Sequence, residues 1–374
     1  MIGVLIGLLL ILACTVGLFW NEGRAVTTAR SLEEGAGLVV HVSSATRDAA
    51  NEGKLVHLTG PVETDGALSD LAFAVSATGV RLIRRVEMFQ WQEDSTSETR
   101  SKLGGGEETV TTYTYSRDWS DTPADSARFR KPEGHGNPPM TLRSRTIAAP
   151  QARLGAFTLG QPVLDLIDGD RPLPLDATQL QRSRAAYGGG KKVSLIDDRL
   201  YLGADPESPA IGDYRIAYEI VPLGPVSIIG RQSGDTLTPY PTKAGDRLLI
   251  VTRGDVPADE MFAAEQAANA VLGWVLRAVG LIFLFVGFML VMRPMAVAAD
   301  IVPMLGTLVQ FGHALIAFCL ALLLGASTIA LAWFFYRPLL AIGILVAGVV
   351  LAAGILYLRR RKTGTLPPPA GMPA

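Results

Sequence analysis

Histidines, paired acidic residues and glycine-rich segments are the parts of this sequence that could do chemistry, and none has the spacing of a known site. The four histidines are scattered, and no His-Glu-x-x-His or Cys-x-x-Cys spacing is present to hold a metal ion. Gly188–Lys192 is similar to a phosphate-binding loop, but Ala185 and Lys192 replace its first glycine and its magnesium-binding hydroxyl. A Gly-x-Ser-x-Gly elbow is also missing. The sequence therefore predicts no catalytic, cofactor-binding or metal-binding residues.

Three charged residues beside or inside apolar runs are more informative. Arg277 lies near one end of such a run, and we expect its long side chain to reach outward to the interface, with a buried partner or a gating charge as alternatives. Asp300 is expected to cap a helix that begins near Ile301, or to be a functional acid. Arg337 and Pro338 leave room only for a tight turn between two runs.

The elements that must position these residues are four apolar runs, at 1–20, 271–292, 312–335 and 339–358. Each is close to the roughly 20 residues that a helix needs to cross a bilayer. In lipid only a helix satisfies its own backbone over such a length. The sequence thus predicts an α+β membrane protein with four transmembrane helices and a large β-rich extramembrane domain inserted between helices one and two.

This pattern divides the chain into seven segments. The first 20 residues could instead be a cleaved signal peptide, but they lack a basic start and a small-x-small cleavage site. The predicted segments are an anchor helix (1–20), a juxtamembrane helix (21–37), the β-rich outer domain (38–257), an amphipathic helix leading into transmembrane helix 2 (258–292), an apolar interfacial loop (293–311), a transmembrane helical hairpin (312–358) and a basic, proline-rich cytoplasmic tail (359–374).

Charge is strongly segregated along the chain. Residues 21–270 carry 34 acidic and 27 basic side chains, a net charge of −7, which argues against nucleic acid as a partner. The basic cluster at 359–362 adjoins the last run, so the positive-inside rule places both termini in the cytoplasm. We expect a bacterial inner-membrane protein with residues 21–270 in the periplasm, or, in a eukaryote, a protein of the endoplasmic reticulum or nuclear envelope.

Alternating and β-branched runs predict the strands of the outer domain. A short helix is expected near Leu175–Arg184, and Ala258–Ala270 has the pattern of an amphipathic helix. The predicted strands are Leu38–Val42, Leu55–Thr59, Val80–Trp91, Thr109–Ser116, Tyr214–Val221, Val226–Arg231 and Arg247–Thr252.

Two further features indicate packing roles. The segment Trp20–Gly35 follows the anchor with mixed charges, and we expect it to contact the outer domain or Arg277. Small residues thin one side of the last run, where Gly348 and Ala352 would let another helix approach closely, either within the chain or in a second copy.

Specific motifs occur in seven blocks that cover nearly the whole chain in order, namely Trp20–Ala25, Thr28–Gly35, Asn51–His57, Val86–Trp91, Gly134–Pro138, Thr242–Asp246 and Phe334–Pro338. The first block contains Asn21, Glu22, Gly23 and Arg24 directly after Trp20. These blocks resemble the transmembrane protein 43 family, also called LUMA. The missing polar extension at the start and the Ala/Arg/Gly-rich composition suggest a bacterial member.

The resemblance implies a non-enzymatic scaffold, because animal members are regarded as membrane proteins that self-associate and bind envelope proteins. Its motifs imply no cofactor. We therefore expect an integral membrane scaffold whose partners are the lipid bilayer, further copies of itself and other membrane or envelope proteins. Two alternatives stay open: a channel or transporter subunit built on the three C-terminal helices, and a membrane-bound hydrolase with an unrecognised site.

Overall fold

The computed structural model describes residues 2–101, 107–299 and 306–363. These residues form two compact units: unit 1 comprises Met1–Arg30 and Glu265–Ala374, and unit 2 comprises Ser31–Ala264. The α-helices are α1 (Ile2–Leu38), α2 (Gln161–Leu164), α3 (Ala177–Ala186), α4 (Ala258–Ala299), α5 (Gly306–Tyr336) and α6 (Pro338–Thr363).

Two short 3₁₀ helices (Ala49–Asn51 and Ser126–Arg128) and eighteen strands complete the described secondary structure. The strands are β1 (Val40–His41), β2 (Leu55–Thr64), β3 (Leu68–Asp70), β4 (Val75–Ala77), β5 (Arg81–Ser101), β6 (Glu107–Ser120), β7 (Arg145–Ala148), β8 (Ala152–Leu154), β9 (Phe157–Leu159), β10 (Arg171–Pro172), β11 (Val193–Ile196), β12 (Arg199–Leu202), β13 (Tyr214–Val221), β14 (Pro225–Ser233), β15 (Thr236–Thr238), β16 (Tyr240–Pro241), β17 (Arg247–Leu248) and β18 (Ile250–Arg253).

The protein is α+β, with a β-rich middle between apolar helices. Three helices contain stretches long and apolar enough to cross a membrane, namely Ile2–Leu38, Ala258–Pro294 and Gly312–Tyr336, and a shorter apolar stretch, Ala341–Tyr357, lies in α6. The predicted loop at 293–311 is largely wrong, because α4 continues to Ala299 and α5 begins at Gly306. Asp300, the predicted cap, lies outside the described residues.

In unit 2, the first sheet closes on itself. Strand β2 pairs with β8 on one side and with β14 on the other, while β9 and β15 pair in parallel, so β2, β8, β9, β15 and β14 form a continuous ring. Strands β1 and β18 attach to β2 and β14. The apolar residues inside include Val56, Leu58, Val62, Leu154, Phe157, Leu159, Val226 and Ile228.

The second sheet has the order β11-β12-β13-β5-β6, with β10 and β7 attached at β13 and β5. Tyr214, Ile216 and Tyr218 are buried, whereas the residues between them are half-exposed, as the period of two in a strand requires. Helix α3 and the β3–β4 hairpin cover this face through residues such as Phe73 and Leu180. The predicted strand Tyr214–Val221 matches β13 at both ends.

Helices α1 and α4 each contribute residues to both units. Within unit 2, Leu32 of α1 packs with Leu248, Met261 and Phe262. A Cβ atom at Gly35 would lie 2.5 Å from Leu248 Cδ1 and 2.9 Å from the Phe262 ring, so only glycine fits here. The helix therefore continues from the apolar anchor without a break, and Leu32 and Gly35 near its end pack against unit 2 residues.

Candidate functional site: a buried ion pair among the apolar helices

Several polar side chains of unit 1 form hydrogen bonds with the carboxylate of Glu22. Arg277 Nε and one terminal nitrogen donate to the two Glu22 carboxylate oxygens at 2.5 Å and 2.7 Å. Trp333 Nε1 donates to one of the same oxygens at 2.8 Å. The Arg277 guanidinium lies 4.7 Å from the centroid of the Trp274 ring. We call Glu22, Arg277, Trp333 and Trp274 the Glu22 cluster.

The cluster joins three helices that are distant in sequence. Glu22 is on α1, Arg277 is on α4 and Trp333 is on α5. The Glu22 residue is 1% exposed, and the side chains of Glu22 and Arg277 are 2% and 16% exposed. Charges removed from water in this way are stable only when they are paired and hydrogen-bonded. Each partner therefore fixes the position of the other.

Arg277 has the kind of partner that the sequence left open as an alternative. The position of Arg277 near the end of an apolar run, together with the length of an arginine stem, favours a side chain that reaches outward to the interface. In the structure the guanidinium pairs with a buried carboxylate. The expected contact between Arg277 and the Trp20–Gly35 segment is this ion pair.

A second group of hydrogen bonds lies beside the cluster on the same two helices, α1 and α4. Arg24 donates to Asn269 Oδ1 at 2.9 Å and to Asn21 Oδ1 at 3.2 Å. Asn21 Nδ2 donates to the carbonyl of Gly273 at 3.3 Å, and Asn269 Nδ2 donates to the carbonyl of Ala25 at 2.9 Å. These hydrogen bonds link α1 to α4 next to the ion pair between Glu22 and Arg277.

Gly23 and Arg337 complete the set where α5 ends. A Cβ atom at Gly23 would lie 2.7 Å from the Tyr336 ring, so glycine allows α1 to approach α5. Arg30 donates to the Tyr336 carbonyl at 2.8 Å. Arg337 separates α5 from α6 in a tight turn.

Close packing between α1 and α4 uses glycines that the sequence pattern did not single out. A Cβ atom at Gly7 would lie 2.7 Å from the Gly287 carbonyl oxygen, and one at Gly280 would lie 2.6 Å from Leu18 Cδ2. Around Gly348, by contrast, no described atom lies within 4 Å of the position that a Cβ atom would take, and Ala352 is exposed. The sequence signal for such close packing is a small residue in an apolar helix. Small residues also occur on helix faces without a partner, so this signal alone does not identify the contacts.

The chemistry-bearing groups of unit 2 are engaged in its own packing. His57 Nε2 donates to the Val256 carbonyl at 3.0 Å, and its Nδ1 lies 3.1 Å from His41 Nδ1. Burial is the main cause that lowers the pKa of His57, although its hydrogen bond to Val256 acts in the opposite direction. Both nitrogens of the His57 ring therefore have partners within the fold.

Lys191, from the loop that is similar to a phosphate-binding segment, also has a structural partner. Burial opposes the Asp213 charge, but hydrogen bonds from Tyr201, Lys191 and the Ala210 amide hold the pKa of Asp213 below its usual value. Within the described residues, no group of three or more histidine, cysteine or acidic side chains is placed to hold a metal ion. These hydrogen bonds of His57 and Asp213 hold neighbouring segments of unit 2 together.

Two of the family-like blocks meet in unit 2. The Asn137 side chain accepts from the Trp91 amide at 2.7 Å and donates to the Trp91 carbonyl at 3.0 Å, so it satisfies the open edge of β5 at this residue. The His135 ring stacks on Tyr115, with centroids 4.0 Å apart, and meets Trp91 edge-on. These blocks therefore maintain the fold of the second sheet.

Comparison with known proteins settles the family. The family model described as transmembrane protein 43 matches residues 88–338. The chain belongs to the transmembrane protein 43 family. It is 37% identical to the rat protein over 353 residues, which cover 91% of this chain and 86% of the relative.

Other relatives of this transmembrane protein 43 family member are similar over nearly their full length. The human protein is 36% identical over 374 residues, covering 96% of this chain and 90% of its own. The Drosophila homologue is 31% identical over 356 residues, covering 92% and 91%. No solved structure matches the chain. The resemblance drawn from the sequence blocks is confirmed.

The ion pair predicts a strong coupling between Glu22 and Arg277. Glu22→Gln or Arg277→Gln leaves the opposite charge buried without a partner, which costs about 3–5 kcal/mol. The double variant Glu22→Gln/Arg277→Gln should lose less than the sum of the single variants, by at least about 1 kcal/mol. Thermal unfolding of the full chain in mild detergent measures these changes.

Glu219→Gln is the control, because it breaks an ion pair with Arg85 in which the Arg85 side chain is 55% exposed. Its loss should stay below about 1 kcal/mol. Strictly additive effects of the two variants in the Glu22 cluster would contradict the coupling.

Proposed function

We propose that the chain is an integral membrane scaffold that self-associates and binds other membrane or envelope proteins, without a catalytic role. The observation that carries this proposal is the exposed surface of α6. Its side chains Val349 and Leu356 are 68% and 60% exposed, and space around Gly348 is open among the described residues. Small residues let helices approach in lipid, where packing replaces the hydrophobic drive. The α6 surface is therefore suited to a second helix.

The outer edge of the second sheet gives separate support. Among the described residues, β6 is an edge strand, because it pairs with β5 and with no other strand. Val110 and Tyr113 on β6 are 47% and 40% exposed. Such an edge is a template for another strand. A scaffold would use it to bind a second copy or a partner protein.

The polar groups of the Glu22 cluster bond to one another, which favours a scaffold over a hydrolase or a channel. Both oxygens of Glu22 accept hydrogen bonds, so this carboxylate is poorly placed to accept a proton from a substrate. A channel needs polar groups along its path. Thr15 and Thr328, however, donate to carbonyls of their own helices, and Arg277 pairs with Glu22. A channel or transporter subunit remains the second hypothesis.

We infer that α6 also crosses the membrane, giving four spans, and that both termini face the cytoplasm. The basic residues at 359–362 support this orientation through the positive-inside rule. Unit 2 would then lie outside the cytoplasm, in the periplasm of a bacterium or in a eukaryotic lumen. The acidic balance of residues 21–270 fits protein partners better than nucleic acid.

This orientation predicts the behaviour of reporter fusions. A reporter that is active only outside the cytoplasm should be silent when fused after Lys362, because the last span would leave it inside. The same reporter inserted between Gly188 and Gly189, in the loop between α3 and β11, should be active. A reporter that works after Lys362 and fails in the loop would reverse the topology.

Self-association is tested at the small-residue face of α6. Gly348→Leu/Ala352→Leu adds bulk where close approach is proposed, and the particle mass in mild detergent should fall towards that of a single chain. Val350→Leu is the matched control, because position 350 lies about 200° around the helix from 348. Its mass should match the wild type. A wild-type chain that is monomeric in several gentle detergents and in nanodiscs would remove the main support for the proposal.

A further inference from the structure

A lateral cavity of about 450 Å³ lies among the apolar helices of unit 1, and the Glu22 cluster does not fill it. Ala326, Ala330 and Ala341 keep it open, because their side chains leave space that larger residues would occupy. We call it the α4–α6 cavity. Its walls also include Trp274, Arg277, Trp333, Ile344 and Leu345.

The apolar walls of the cavity make it a poor site for water. Among the described residues, Arg277 is the only charged one that lines the cavity, and two of its guanidinium nitrogens donate to Glu22. A trapped water needs two to four polar partners, and an apolar cavity lacks them. The remaining walls are aromatic or aliphatic, so the occupant must present hydrocarbon.

The depth of the cavity fits a flexible chain. Along α5 the lining runs from Ala326 to Phe334, which is about 12 Å at 1.5 Å per residue. Two tryptophans, Trp274 and Trp333, lie at one end, and tryptophan prefers the level where the bilayer meets water. The other end, at Ala326 and Leu345, lies further inside the apolar stretches of α5 and α6.

We propose that the α4–α6 cavity binds one acyl chain of a membrane phospholipid, with the headgroup next to Trp274 and Trp333. The source is a phospholipid because Arg277 already pairs with a carboxylate, so a free fatty acid gains no cation for its own carboxylate. The volume lies within the about 300–1,000 Å³ of ordinary ligand sites. An occupied cavity would also brace α4, α5 and α6 beside the ion pair.

The test uses the full chain in phosphatidylcholine vesicles that contain a phosphatidylcholine with a photoreactive diazirine in one acyl chain. After illumination, mass spectrometry should place most of the label on residues 326–333 and 341–345. Ala330→Phe should lower labelling of these segments about tenfold, because the ring takes up space that the acyl chain would occupy. Leu323→Phe is the matched control, since Leu323 on α5 is 70% exposed and does not line the cavity. It should label like the wild type.

A second variant guards against a folding defect in the first, and a second probe distinguishes a phospholipid from a free fatty acid. Ala341→Phe adds bulk to the cavity from α6, so its labelling decides the outcome if Ala330→Phe fails to fold. The parallel probe is palmitic acid with the same diazirine, which should label the cavity less than the phospholipid does. Equal label on all apolar helices, no loss in either filling variant, or labelling by the fatty acid that equals or exceeds labelling by the phospholipid would each overturn the proposal.

Discussion

The ion pair between Glu22 and Arg277 is the interaction on which the arrangement of the apolar helices depends. Its two residues are 255 positions apart in sequence, yet they bring α1 and α4 together, and Trp333 adds α5 to the same carboxylate. Removing two charges from water is costly, so the pair is stable only when the helices that carry it are in place. Tight contacts at Gly7, Gly280 and Gly23 allow those helices to approach. The ion pair and the three glycines therefore stabilise the same packing of α1 against α4 and α5.

The sequence predicted the elements better than their contacts. Apolar length and period-two alternation identified the helices and strands such as β13, because both signals are local in the chain. The partner of Arg277 could not be read in this way, since one helix pattern does not show which residue a neighbouring helix presents. The segment at 293–311 was misread for a related reason. Its low polarity suited an interface, but Pro294 stands inside α4 without ending it.

The family-like blocks lie where the structure makes its long-range contacts. Asn21–Arg24 supplies the hydrogen bonds of α1 to α4, and Phe334–Pro338 contains the turn between α5 and α6. Trp91 and Asn137 join two further blocks across the edge of β5. In these contacts the family-like motifs have structural roles. The proposed scaffold function would use surfaces such as α6 and the edge of β6.

Cross-linking between α1 and α4 in intact membranes tests the central claim most directly. The pairs Asn21→Cys/Gly273→Cys and Ala25→Cys/Asn269→Cys replace residues whose side chains and backbones are hydrogen-bonded, in a chain whose native Cys14 and Cys319 are changed to alanine. Both pairs should cross-link rapidly on mild oxidation or with a short bifunctional reagent. A control pair, Asn21→Cys/Leu323→Cys, should not. Failure of both pairs, while a cysteine pair across β13 and β5 at Arg215 and Glu87 cross-links, would contradict the packing of the anchor around the Glu22 cluster.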